Sequence, residues 1–241
     1  MTLLAAILSR DIERVSNLLA RKYLKAWAVG TSVVLGLMAG CVGHKPQTPL
    51  PEPTVPLPAG SLASRDVGVL PFTLVLAEDS LHWDAQLADH PKALAIADSL
   101  LLGFLTTRVP EVAWKSPARL WRSARGANDL PDDPHQLGVA ILRQAPVGSY
   151  VPDPLRAQLR TLGAVAGGSY VLAPASLFFK ADTTHREPGA GSRRLGTAEL
   201  TLVLVDVRLG TISWRSVARG AGDDPWSAMN AALKTLTPGL P

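Results

Sequence analysis

The chain has 241 residues, 47% apolar and 18% charged, a balance that excludes a disordered polypeptide. Twenty-four basic residues face 20 acidic ones, but five basic and two acidic residues precede Cys41. The remainder carries 19 against 18 and lacks the broad basic surface of a nucleic-acid binder. Cys41 is the only cysteine, which excludes disulfides within the chain and cysteine-ligated metal clusters.

Near the N-terminus, Arg21, Lys22 and Lys25 form a positive region, residues 26–37 an apolar run and Ala39-Gly40 a small-residue cleavage site. The run is short of the ~20 residues that a membrane-spanning helix needs. Leu37-Met38-Ala39-Gly40-Cys41 resembles a bacterial lipobox, with Met38 where leucine is usual. The expectation is cleavage between Gly40 and Cys41, fatty acylation (palmitate) of Cys41, and attachment to a membrane through that lipid. Residues 1–40 then form a signal peptide, with 1–20 read as lying upstream of the true start. The alternative is an uncleaved signal anchor, and both put the rest of the chain outside the cytoplasm. Val42 stands where aspartate marks inner-membrane retention, which points to the outer membrane and a periplasmic domain.

Residues 41–64 read as the lipidated cysteine and a tether. Pro46, Pro49, Pro51, Pro53, Pro56 and Pro58 exclude helix and central strand. Such a stretch holds a domain away from its lipid, or serves as a passive linker.

Residues 65–238 read as one globular domain. The apolar run 66–76 predicts a first strand, with Pro71 marking an edge or a bulge. His90-Pro91 opens a helix over 90–108, where Leu94, Ala97, Leu101, Phe104 and Leu105 recur at helical spacing. A short strand follows at 111–114. Ser116-Pro117, Asp133-Pro134, Asp153-Pro154 and Asp224-Pro225 each pair a capping residue with a proline suited to the first helical position. They predict helices over 117–125, 134–144, 154–162 and 225–236, with Gly163 ending the third. Strands are expected at 169–180 and 197–207, then a tight turn at Arg208-Leu209-Gly210 and a partner strand at 211–219. The fold class is α/β, a mixed sheet with a C-terminal antiparallel meander covered by helices, in the order β-α-β-α-α-α-β-β-β-α.

Three phrases carry a resemblance. They are Val67-Gly68-Val69-Leu70-Pro71-Phe72; Leu162-Gly163-Ala164 through Tyr170-Val171-Leu172; and Val205-Asp206-Val207-Arg208-Leu209-Gly210-Thr211-Ile212-Ser213-Trp214. Together they resemble CsgG-type periplasmic domains. That group includes curli-secretion lipoproteins, lipoprotein activators of penicillin-binding proteins (LpoB type) and the N-terminal domain of TolB. Ala173-Pro174 departs from the group's glycine, and the stretch 115–153 matches no pattern of theirs. The loop 181–195, with Arg186, Arg193 and Arg194, lacks the alternating lipid face of a pore hairpin. The resemblance implies a periplasmic domain that acts by protein contact.

No catalytic constellation is legible, and no enzyme activity, cofactor or metal site is expected. None of His44, His82, His90, His135 and His185 lies three to five residues from another. The second members of Asp132-Asp133 and Asp223-Asp224 read as helix caps. Arg119, Arg122 and Arg125 recur every third residue beside Trp121, and arginine and tryptophan are enriched at contact hot spots. These four are the candidate partner-binding residues, set against a solvated helix face with Trp121 packed inward. Three functions compete. One is a lipid-anchored, non-enzymatic accessory protein of the cell envelope, serving a peptidoglycan synthase or a secretion or transport assembly, with no nucleic acid as partner. Another is a small-molecule-binding or transport-auxiliary lipoprotein, which needs a closed apolar cavity. The third is a hydrolase with a site assembled from distant residues.

Overall fold

The computed structural model describes residues 52–181 and 195–237, within a compact unit that begins at Glu52. Its elements are α1 (Ala59–Leu62), β1 (Asp66–Val69), β2 (Val75–Ala77), α2 (Asp84–Leu87), α3 (His90–Arg108), β3 (Ala113–Lys115), α4 (Pro117–Ser123), α5 (Leu155–Ala166), β4 (Tyr170–Ala181), β5 (Gly196–Asp206), β6 (Thr211–Gly222) and α6 (Pro225–Thr235). The sheet is mixed, in the order β3-β1-β4-β5-β6, with β2 also on β4. β3, β1 and β4 run parallel, and β4, β5 and β6 form an antiparallel meander followed by α6.

Side chains alternate across the sheet, so each strand feeds two cores. On β5, Leu200, Leu202 and Leu204 join Leu101 and Leu105 of α3 and Met229 and Leu233 of α6. Val203 and Val205 face the other way, onto Leu120 of α4, Leu159 and Leu162 of α5, and Leu142. The helices form where their ends are satisfied. The Asp89 side chain accepts from Lys92 N–H at 3.1 Å, and Pro91 stands in the first turn of α3. Asp224 accepts from the N–H groups of Trp226 and Ser227 while Ser227 returns a bond to its backbone, a full capping box on α6. At Gly220 a Cβ would lie 2.0 Å from the Ala232 nitrogen, so glycine lets α6 lie directly on β6.

Several sequence expectations are corrected. The strand expected over 66–76 is two strands, both parallel to β4. β1 pairs Val69 with Leu172 and β2 pairs Val75 with Leu177, so the first segment carries one residue more than β4 between these pairs. That residue is taken up within 70–74, which belong to neither strand. The second short strand lies at Ala113–Lys115, and α4 stops at Ser123. The helix expected over 134–144 is two 3₁₀ turns, Pro134–Gln136 and Val139–Gln144, parted by Leu137 in an extended conformation. Asp153 pairs with Arg156 instead of capping α5, whose N-cap is Pro154. Gly163 does not end that helix. A Cβ there would lie 2.4 Å from Val207 Cγ2, so its glycine serves packing, and the stop is Gly167 at φ +74°.

The tether is corrected in the same way. After its last proline, residues 59–62 make a helical turn, and Leu57 and Leu62 are buried in the core. From Glu52 onward this stretch is part of the domain.

Candidate functional site

Gly40 and Cys41 lie outside the described residues, as does the polar loop 182–194 with His185, Arg186, Arg193 and Arg194. The other candidates can be placed.

α4 presents the arginine face. Ser116 caps it, accepting from Arg119 N–H, and Leu120 is buried. Arg119, Arg122 and Arg125 are exposed, whereas Trp121 is half-buried and donates its Nε1–H to the Pro131 carbonyl at 3.2 Å. Three of the four candidates meet in one cleft of about 320 Å³, where Trp121, Arg122 and Arg125 face Gly126, Leu130 and Asp132. Arg119 lies outside it, in a shallower hollow shared with Arg122. The far wall is held by Asp129, whose carboxylate accepts from Thr161 at 2.7 Å and whose carbonyl accepts from Gln158 at 2.8 Å. The result is an open cleft with a tryptophan wall and a cationic rim. The core between sheet and helices is filled by Phe72, Leu101, Leu105 and Phe179, all at most 1% exposed.

The second feature is a strap made by residues 52–57 along the outer edge of β6. Thr54 Oγ1 donates to the Val217 carbonyl at 2.9 Å, and Val55 N–H donates to Ser216 Oγ at 2.9 Å. Trp214 Nε1–H donates to the Pro56 carbonyl at 3.0 Å, and Leu57 N–H donates to the Leu236 carbonyl at 2.9 Å. Glu52 ends the strap: Arg215 holds its carboxylate at 2.5 Å and Arg219 its carbonyl at 2.5 Å. Farther along the edge, Gly148 N–H donates to the Ile212 carbonyl and Ile212 N–H to the Ser149 carbonyl.

The third feature escaped sequence reasoning. Asp98 of α3 and His135 meet at the break between β1 and β2. Asp98 Oδ1 accepts from Phe72 N–H at 2.7 Å, and His135 Nδ1 lies 2.8 Å from the Phe72 carbonyl. A carbonyl only accepts, so Nδ1 carries the hydrogen. His135 Nε2 then faces Asp98 Oδ2 at 4.0 Å. Burial pushes the Asp98 carboxyl up to about 6, against the Phe72 N–H and the His135 charge, which pull it down. Chemically the pair fastens a loop, because two of its polar atoms are spent on the backbone N–H and carbonyl of one buried residue, Phe72. Asp98 and His135 are 37 residues apart, so no local spacing could have flagged them.

Asp133 and Asp224 both cap, accepting from His135 N–H and from Trp226 and Ser227 N–H respectively. Among the described residues no group of three or more histidine, cysteine or carboxylate side chains is placed to hold a metal ion, and no helix is long and apolar enough to cross a membrane.

No protein-family model matches the chain, and no curated protein does. Among solved structures it is similar to a PelC dodecamer subunit from Paraburkholderia phytofirmans, 15% identical, over 76% of this chain and 91% of that one, with a TM-score of 0.38. It is similar to the LpoB C-terminal domain from Salmonella enterica, 16% identical, over 66% and 83%, at 0.33. It is also similar to lipoprotein GNA1162 from Neisseria meningitidis, 15% identical, over 64% and 77%, at 0.25. At these scores the likeness is too slight to carry over a fold or a function.

Proposed function

We propose that this chain is a lipid-anchored accessory protein of the cell envelope, held by an acylated Cys41 in the outer membrane, and that it acts by protein contact without catalysing a reaction. One observation carries this reading. The polypeptide that follows the lipobox is taken up at Glu52 and fastened along β6 by five partners, Arg215, Arg219, Ser216, Val217 and Trp214. A fastened N-terminal segment is what a domain pulled by its leader requires. The cleft of Trp121, Arg122 and Arg125 supplies a contact surface with a rigid wall and a cationic rim. A partner peptide with carboxylates and one apolar side chain fits it, as supplied by a peptidoglycan synthase or a subunit of a secretion or transport assembly.

The test has two arms. Growth with an alkyne-tagged palmitate labels the chain, and Cys41→Ser abolishes the label and releases the protein from membranes. Photo-crosslinking from position 122 in living cells captures one reproducible envelope protein. A chain that stays unlabelled and soluble overturns the anchor. Labelled protein that captures nothing from position 122 overturns the contact site.

A further inference from the structure

Where the strap begins decides which side of the domain can approach the membrane. Between Cys41 and Glu52 lie ten residues. Fully extended they reach about 35 Å. A domain of this size is roughly 40 Å across. Glu52 is pinned to Arg215 and Arg219 on β6, at one end of the strand order, with β3 at the other. If β3 were nearest the bilayer, the leader would have to pass around the whole domain, which exceeds its reach. The half of the domain that carries the β6 edge must therefore be the near half.

That edge has the surface a bilayer would meet. Seven large apolar residues are exposed among the described residues, and four of them flank β6: Val55 at 44%, Val147 at 58%, Tyr150 at 71% and Leu209 at 65%. They follow the strand in space. Leu209 is in the turn that starts it, and Tyr150 bridges to Thr211. Val147 precedes Gly148, which bonds Ile212, and Val55 bonds Ser216. Each exposed aliphatic side chain gains by leaving water, and tyrosine is enriched at the boundary between headgroups and hydrocarbon.

We propose that the outer edge of β6, carrying Val55, Val147, Tyr150 and Leu209, rests on the lipid surface that holds the acyl chains of Cys41. This depends on the anchored reading above and adds the orientation. The domain lies on the membrane by one sheet edge, and the β3 end points away.

The experiment uses the full-length, acylated protein in vesicles of phosphatidylethanolamine and phosphatidylglycerol. Because Cys41 is the only cysteine and carries lipid, an introduced cysteine takes a nitroxide label uniquely. Tyr150→Cys and Leu209→Cys report the proposed edge, and Glu111→Cys, exposed two residues before β3, reports the opposite end. Circular dichroism establishes that each variant is folded. With a nickel-chelating lipid in the vesicles, collisional relaxation is expected to be at least fivefold greater at 150 and 209 than at 111. Equal relaxation at all three positions overturns the orientation. So does spin–spin broadening between labels at 150 that vanishes on dilution with unlabelled protein, which would mean that a second copy covers the edge. Flotation with the vesicles reads the anchor separately: protein that fails to float overturns both proposals, and protein that floats with equal relaxation overturns this one alone.

Discussion

Asp98 and His135 close on the backbone of one residue from two elements, one accepting the N–H of Phe72 and the other donating to its carbonyl. Phe72 is fully buried in the break between β1 and β2, so its backbone groups have no sheet partner and no water. The two side chains replace the missing ladder bonds, as buried backbone groups require.

The pair gives stability a pH dependence of definite sign. Asp98 has a folded-state value of about 6, above its ordinary 3.8, chiefly through burial. The folded state therefore binds the proton more tightly than the unfolded chain. The Asp98 contribution to stability is fully present below about pH 4 and is lost as pH rises through about 6. Asp98→Asn keeps an acceptor for Phe72 N–H and removes the charge. Its urea midpoint is expected to vary little from pH 4.5 to 7.5 and to exceed that of the native chain at pH 7.5. Asp98→Ala leaves the N–H unpaired and costs about 1–3 kcal/mol at every pH.

Glycine substitutions should separate packing from propensity. A Cβ at Gly103, an exposed position inside α3, meets nothing within 4 Å, so Gly103→Ala stabilises by up to about 1 kcal/mol. At Gly163 the same methyl meets Val207 Cγ2 at 2.4 Å, so Gly163→Ala destabilises by about 1–3 kcal/mol despite the better helix former. Thermal midpoints of the two variants should move in opposite directions.

The capping box on α6 depends on an ionised Asp224. Its slight burial opposes the charge, but hydrogen bonds from Ser227 and Trp226 outweigh this and hold the carboxyl below its ordinary value. Asp224→Ala is expected to cost about 1 kcal/mol. The native advantage over the variant is present above pH 4 and lost as pH falls through the lowered value. Denaturation of both chains across acidic pH checks it.

Releasing the strap should loosen the N-terminal segment without unfolding the domain. Arg215→Ala with Arg219→Ala removes both holds on Glu52. Cleavage by a protease of broad specificity between residues 52 and 58 is expected to speed up about tenfold, with the β4 and β5 amides still protected from hydrogen exchange. Leu57→Ala, at a position 7% exposed, costs about 2–4 kcal/mol.

On the contact face, Arg122→Glu with Arg125→Glu reverses the cleft rim at two exposed positions, so the melting temperature stays within about 1–2 °C. Photo-crosslinking to the proposed partner from position 119, in the adjoining hollow, should fall at least tenfold. Trp121→Ala is expected to lose both the proposed contact and about 2–3 kcal/mol of stability, because the indole also packs inward.

Local chemistry made much of the fold legible. α3 has the bounds that His90-Pro91 and the leucine spacing predict, α6 starts where Asp224-Pro225 places it, and the β5–β6 hairpin turns at Gly210. What was missed depends on distant partners. The run from Asp66 to Leu76 is interrupted only by Pro71 and Thr73, which a single bulged strand would also tolerate, and only the pairing with β4 reveals that two strands dock on it. Residues 134–144 have a capping aspartate and proline, yet Leu137, Val139 and Leu142 must all reach the second core, and no single helical face provides that. In the tether the prolines correctly exclude a central strand, but the signal for docking was Leu57 and Leu62, two leucines that a solvated spacer would not need. At the cleft, the sequence located the arginines, whereas the opposing wall comes from loop residues tied to α5.

The strap has a consequence for crowding. A bare strand edge is a template on which the next molecule can add its own strand. Here the rim of β6 is already occupied by residues 52–57 and 148–151 of the same chain. A second copy that reaches this rim before it is seated on lipid finds few unpaired amides, so concentrated chains resist polymerising into continuous ribbons.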